Sequence, residues 1–155
     1  MPKTVAELLA AWRAADRRWE ATAQGDPVFR AVAIDVVRAW LAYHAAINDR
    51  FPGEFALVAD DDRLIVAASA GVEATLGHAP EAVVGRRIED LAARAGVADT
   101  SVLWSAFLGE GRQDGTFDLV DRDGAIVHLN YQARAHYPIA NFHLSRLWPA
   151  GEQDG

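Results

Sequence analysis

The chain has 155 residues, 51% of them hydrophobic and 24% charged: enough apolar material for one ordinary folded core, too little for two, and unlike a disordered chain. A formal charge of −7 repels polyanions and excludes nucleic acid and anionic membrane surfaces as partners, while the absence of cysteine excludes disulfides, thiolate zinc sites and a cysteine nucleophile. No apolar run approaches the ~20 residues of a membrane span and the N-terminus carries no leader-like stretch, so the expectation is no membrane association and a cytoplasmic location.

Thr4 and Glu7 have the spacing of a capping box, in which each side chain satisfies the other residue's backbone N–H. Val5, Leu8, Leu9, Trp12, Ala15 and Trp19 then recur every three or four residues, marking one apolar helix face. Gly25-Asp26-Pro27 ends this helix and starts another, with Asp26 as a cap and Pro27 at a first-turn position. Phe29, Ala33, Val36, Trp40, His44 and Ile47 trace a second stripe that Val37 and Leu41 widen. Residues 1–50 therefore read as a helical hairpin that must bury its apolar side against a sheet or a second copy of the chain. His44, alone on an apolar face beside Tyr43, reads as a packed residue. Asn48-Asp49-Arg50 ends the stripe, and Phe51-Pro52-Gly53 punctuates the boundary to a second domain at 54–149.

Phe55-Ala-Leu-Val-Ala and Leu64-Ile-Val-Ala-Ala are apolar runs separated by Asp60-Asp61-Asp62-Arg63, which predicts a hairpin. The acidic run lacks calcium-loop spacing and reads as turn chemistry. Ser69 is placed to cap a short helix through Val72, Ala74, Thr75 and Leu76 that Gly77 stops; Pro80 to Val83 adds another turn before Gly85. Residues 92–109 have helical periodicity through Val97, Ser101, Trp104, Phe107 and Leu108, with Asp99 or Thr100 as cap. Gly109 to Gly115 has the wrong context and spacing for a phosphate loop and reads as a connector. Thr116 to Val120 is then a strand, Asp121 to Gly124 a turn, Ala125 to Tyr137 a long strand, and Ile139 to Trp148 the last strand, leaving a polar tail at 150–155.

The run FALVADDDRLIVAASAGVEATLGHAPEAVVGRRIEDL resembles the first half of a PAS domain: a hairpin, a glycine-ended helix, a second short helix, and Gly85-Arg86-Arg87 opening a third. Asp114 to Leu147 resembles the closing three-strand meander of that family. The resemblance covers Glu54 to Pro149. It departs in having Ser69 where asparagine or aspartate often opens the first helix, and in lacking a glycine in the first hairpin. It implies an α+β fold, a five-stranded antiparallel sheet with short helices on one face, here preceded by the helical hairpin.

Alternation along the long strand puts Val127, Leu129, Tyr131, Ala133 and Ala135 on one face and His128, Asn130, Gln132, Arg134 and His136 on the other. The resemblance implies that the first set faces a cavity, that the polar row lies outside, and that Ile139, Asn141, His143 and Ser145 point inward. Its expected ligand site is Trp104, Phe107, Leu119, Leu129, Tyr131, Asn141 and His143, with Tyr131 and His143 as two polar groups in an apolar pocket. A small apolar or aromatic ligand suits this set. Haem fits it less well, since the long helix offers Trp104 and no histidine, and a cysteine-linked flavin or chromophore is excluded.

No positive sign of an enzyme emerges: there is no Gly-x-Ser-x-Gly elbow, no histidine pair has metal-helix spacing, and His128 and His136 lie roughly 26 Å apart along an extended strand. Two classes remain. One is a sensory or regulatory module of PAS type, dimerising through its N-terminal helices or signalling to a separate partner, since this stretch carries no output segment. The alternative is a cone-shaped α+β enzyme or ligand-binding protein, and strand order separates the two.

Overall fold

A computed structural model describes residues 2–48 and 51–151, apart from the side chains at positions 48 and 94–101. The expected tail lies, from residue 152 onward, outside the described residues. The chain divides into two compact units, Met1–Asp49 and Arg50–Gly155. No described helix is long and apolar enough to cross a membrane.

The first unit is the antiparallel pair α1 (Val5–Ala21) and α2 (Phe29–Asn48). The capping box forms, with the Glu7 N–H donating to Thr4 Oγ1 at 3.1 Å and the Thr4 N–H to Glu7 Oε1 at 2.8 Å. Asp26 accepts the Val28 N–H at 2.9 Å, just ahead of α2. Trp12 stacks on Tyr43 with ring centroids 5.7 Å apart, and Trp19 meets Phe29 at the other end. His44 is packed among the Trp12, Trp40 and Tyr43 rings, 4.1 Å from Trp40.

The second unit is a five-stranded antiparallel sheet in the order β2-β1-β5-β4-β3, made of β1 (Phe55–Asp60), β2 (Ile65–Ala68), β3 (Arg112–Val120), β4 (Ile126–Arg134) and β5 (Phe142–Pro149). Between β2 and β3 run α3 (Gly71–Leu76), α4 (Pro80–Val83), α5 (Ile88–Leu91) and α6 (Arg94–Glu110). Val72, Leu76, Val83 and Leu91 from these helices bury themselves on Phe55, Leu57, Ile65, Leu119, Leu129 and Leu147 of the sheet, forming the core. Both aspartate-headed turns close by the same device: Asp60 Oδ1 accepts the N–H groups of Asp62 and Leu64, and Asp121 Oδ1 those of Asp123 and Ala125.

Several boundaries correct the expectation. Ser69 does not cap α3; its hydroxyl accepts the Ala56 N–H at 2.7 Å across the hairpin, and Ala70 precedes the helix without a side-chain cap. The close approach is tightest at Gly71, where a Cβ would stand 2.2 Å from the Glu54 carbonyl oxygen. Gly77 ends α3 in the left-handed conformation, as anticipated. The long helix starts at Arg94, before the expected caps Asp99 and Thr100, whose side chains lie outside the described residues. Gly109 to Gly115 is no connector: Gly109 and Glu110 are helical, Gly111 turns the chain at φ +83°, and Arg112 already pairs with Arg134. The long strand stops at Arg134 rather than Tyr137, and the last begins at Phe142 rather than Ile139. Between them the Ala135 N–H donates to the Gly111 carbonyl and the Tyr137 N–H to that of Phe142.

Candidate functional site

A cavity of about 80 Å3 lies between α6 and the inner face of the sheet. Its floor is sheet: Leu57, Ser145 and Leu147 from the two central strands, Phe117 and Leu119 from β3, Tyr131 and Ala133 from β4. Ile88 and Leu91 of α5 close one side, and Leu103, Trp104 and Phe107 of α6 form the roof. The floor residues of β3 and β4 share a face because strand side chains alternate, and the register sets Phe117 opposite Leu129 and Leu119 opposite Val127.

Polar groups are few. The Tyr131 hydroxyl donates to Gln113 Oε1 at 2.9 Å, and Gln113 Nε2 donates to the Leu103 carbonyl at 3.5 Å. Burial, and next the charge of Asp114, hold the Tyr131 phenol above the ordinary tyrosine range, so at neutral pH it is a hydrogen-bond donor. A phenol, an amide and the Ser145 alcohol in an apolar shell can orient a ligand. The volume is smaller than the ~150 Å3 apolar cavity that admits benzene, so an occupant larger than a few heavy atoms requires α6 to shift.

Of the seven residues expected from the sequence, Trp104, Phe107, Leu119 and Tyr131 line this cavity. Leu129 faces inward but is packed into the core, fully buried and away from the cavity wall. Asn141 is corrected outright: it is exposed in the turn ahead of β5, at φ +69°, and its N–H donates to His136 Nδ1 at 3.1 Å. His143 points inward and is 1% exposed, yet it lies behind the roof instead of on the cavity wall. Its Nε2 lies 2.7 Å from Asp61 Oδ1, and its ring meets the rings of Trp104, Phe107 and His136 at 5.3, 5.9 and 4.8 Å. Burial chiefly, and His136 as a minor cause, lower the His143 pKa; Asp61 and Asp60 oppose them. Tyr131 and His143 thus satisfy separate partners and not each other.

Sequence reasoning missed Gln113 and Asp61. Gln113 had a usable signal, since extending β3 backward in register puts it on the face of Leu119. Asp61 had none, because its partner is 82 residues away.

The sequence matches no protein-family model and no curated protein. Among solved structures, the chain is similar to the PAS domain of a protein from Colwellia psychrerythraea, at 18% identity and a TM-score of 0.58, over 65% of this chain and 89% of that one. It is similar as well to the PAS domain of an HTR-like protein from Haloarcula marismortui, at 20% identity and a TM-score of 0.55, over 62% of this chain and 85% of that one. The fold is α+β and PAS-like, and the hairpin-first strand order excludes the cone-shaped alternative as a fold.

Proposed function

We propose that this PAS-fold chain is a sensory or regulatory module rather than a catalyst, taking a small apolar or aromatic molecule with one hydrogen-bonding group between α6 and the sheet. The observation that carries the reading is the cavity: an apolar wall edged by the Tyr131–Gln113 pair. Its roof is thinly covered, since Leu103 is 39% exposed. A ligand that spreads α6 from the sheet would move an element able to carry a signal. The test is native mass spectrometry and an absorption spectrum of the purified protein, followed by thermal shift with indole and phenol. Retention of a small molecule, or a rise in melting temperature that Ala133→Phe abolishes, supports the site; no occupant and no shift with either probe overturns it.

The reading extends to homodimerisation through residues 1–49, with output to the second copy or to a separate cytoplasmic signalling protein. Val5, Val28 and Ile47 leave apolar surface exposed on the helical hairpin, and Trp12 and Trp19 are half-buried. Trp40 is 4% exposed and adds nothing to such a surface. Aromatic residues are enriched at interfaces and contiguous exposed apolar patches mark them. Light scattering should report a dimer for the full chain and a monomer or aggregate once residues 1–48 are removed; an unchanged dimer rules this out.

A further inference from the structure

Away from the cavity, the residues with most chemistry are Asp61, His136 and His143, whose ligating atoms all lie within 4.8 Å of one another. By residue type the set suits a transition metal. Its hydrogen bonds do not. A histidine that ligates through Nε2 keeps its remaining proton on Nδ1 and donates it outward. Here both Nδ1 atoms accept: His143 Nδ1 takes the His136 backbone N–H at 3.0 Å, and His136 Nδ1 takes that of Asn141 at 3.1 Å. Each neutral ring therefore carries its proton on Nε2, and His143 gives that proton to Asp61 Oδ1. A cation at either Nε2 would set an Nδ1–H against a backbone N–H.

We propose that the cluster is a proton-operated latch: neutral His143 ties the 135–141 turn to the β1–β2 turn, and protonation of His143 releases the 135–141 turn. The added proton must go to Nδ1, so the acceptor of the His136 N–H becomes a second donor facing it. The turn leans on the rings of the cluster: His136 and Asn141, at φ +56° and +69° in a region that His and Asn enter more readily than most residues, both donate their backbone N–H groups to those rings, His136 to His143 and Asn141 to His136. Among the described residues, the β1–β2 turn presents Asp61 and, more weakly, Asp60, which favour the charged ring; the 135–141 turn presents His136, which opposes it. From α6 come Trp104 and Phe107, which carry no charge.

Burial outweighs the carboxylates and lowers the His143 pKa, so the ring resists charging in the folded chain. The unfolded chain takes up the proton near pH 6.5. The latch is therefore fully closed above that pH and its contribution is withdrawn as the pH falls below it. Its reach extends to the roof of the cavity, since the Asp61 carbonyl accepts the Trp104 Nε1–H at 3.0 Å while its carboxylate holds His143. The latch itself stands whether or not the cavity takes a ligand.

Histidine-ring 15N NMR of the full chain between pH 8 and 5, with hydrogen exchange on the same samples, tests it. At pH 8 both rings should carry the proton on Nε2. As His143 titrates, protection of the His136 amide, corrected for the intrinsic exchange rate, should fall by about fivefold or more, the equilibrium equivalent of losing one net hydrogen bond. His143→Asn keeps an acceptor near the Nδ1 position and cannot titrate, so the His136 amide should then be protected equally at every pH. Should that variant not fold, exposed His136→Gly keeps the positive φ and leaves the backbone donor in place, and the His143-linked step should survive while Asn141 protection is lost. A proton on His143 Nδ1 at pH 8, or His136 protection that ignores the titration, overturns the proposal. So does stoichiometric Zn2+ binding by both rings with that protection intact.

Discussion

The helices cover the two ends of the sheet in different ways. Over β1 and β2, α3 and α4 lay Val72, Leu76 and Val83 onto Ile65, all four fully buried, and the chain passes so close that Gly71 has no room for a side chain. Over β3 and β4, α6 buries Phe107, half-buries Trp104 and leaves a cavity of about 80 Å3 beneath them. The helices at the first end are 6 and 4 residues long, whereas α6 has 17. One or two turns, redirected at Gly77 and Gly85, can follow a twisted sheet; a long straight helix touches such a surface along only part of its length. Similar apolar residues thus seal one end and leave a cavity at the other.

The sharpest way to break this contrast is Gly71→Ala. A methyl group facing the Glu54 carbonyl must displace backbone, so the loss should reach about 4 kcal/mol or more, the range of outright collisions, or prevent folding. A circular-dichroism melt within a few degrees of wild type would refute the close packing. Next come matched truncations: Leu76→Ala should cost about 2–5 kcal/mol in urea unfolding, and Leu103→Ala under about 1. Equal costs would mean that α6 packs as tightly as α3. Overpacking reverses the test. Val83→Ile at the sealed end should destabilise by about 1–3 kcal/mol, whereas Ala133→Val on the cavity wall should be neutral or stabilise by up to about 1 kcal/mol.

The smallest effect is expected at the polar edge. Tyr131→Phe should cost about 1 kcal/mol at pH 7, since it removes a single hydrogen bond to Gln113. The half-buried phenol titrates above its unfolded value near 10, so its stabilisation is whole below that pH and lost as the pH rises through the folded value. Wild type should therefore lose more melting temperature between pH 8 and 11 than Tyr131→Phe. Parallel curves would place the hydroxyl in water.

The order of the elements, through the PAS resemblance, made the fold legible; what residue spacing alone made legible was local. Thr4 with Glu7, Asp60 and Asp121 each bind backbone within four residues, so spacing alone predicts them. Ser69 has equally good capping chemistry and spends it on Ala56, 13 residues back, because the hairpin delivers that N–H first. Strand parity set Tyr131 on one face with Leu129, the PAS resemblance implied that this face turns to a cavity, and Tyr131 lines the wall. Parity says nothing of depth, so Leu129, on the same face, is in the core instead. Asn141 failed because alternation was carried through a turn where the chain reverses at positive φ. The Asp61–His143 contact depends on the whole sheet and has no trace in either residue's neighbours.

The strand order also sets a timetable. β1 is made well before β5 and can pair early with β2, but its other neighbour is β5, and contacts across that seam, such as the Glu54–Arg146 ion pair, join residues 92 apart. At ~5–20 residues per second, a nascent chain waits roughly 5–18 s over those 92 residues with the β5-facing edge of β1 unpaired along the middle of its future sheet. That open edge is the interval in which two growing copies can pair with each other instead of with themselves. Slow codons placed between the segments encoding β2 and β5 would lengthen it, and yield of native protein would fall with no change in the amino-acid sequence.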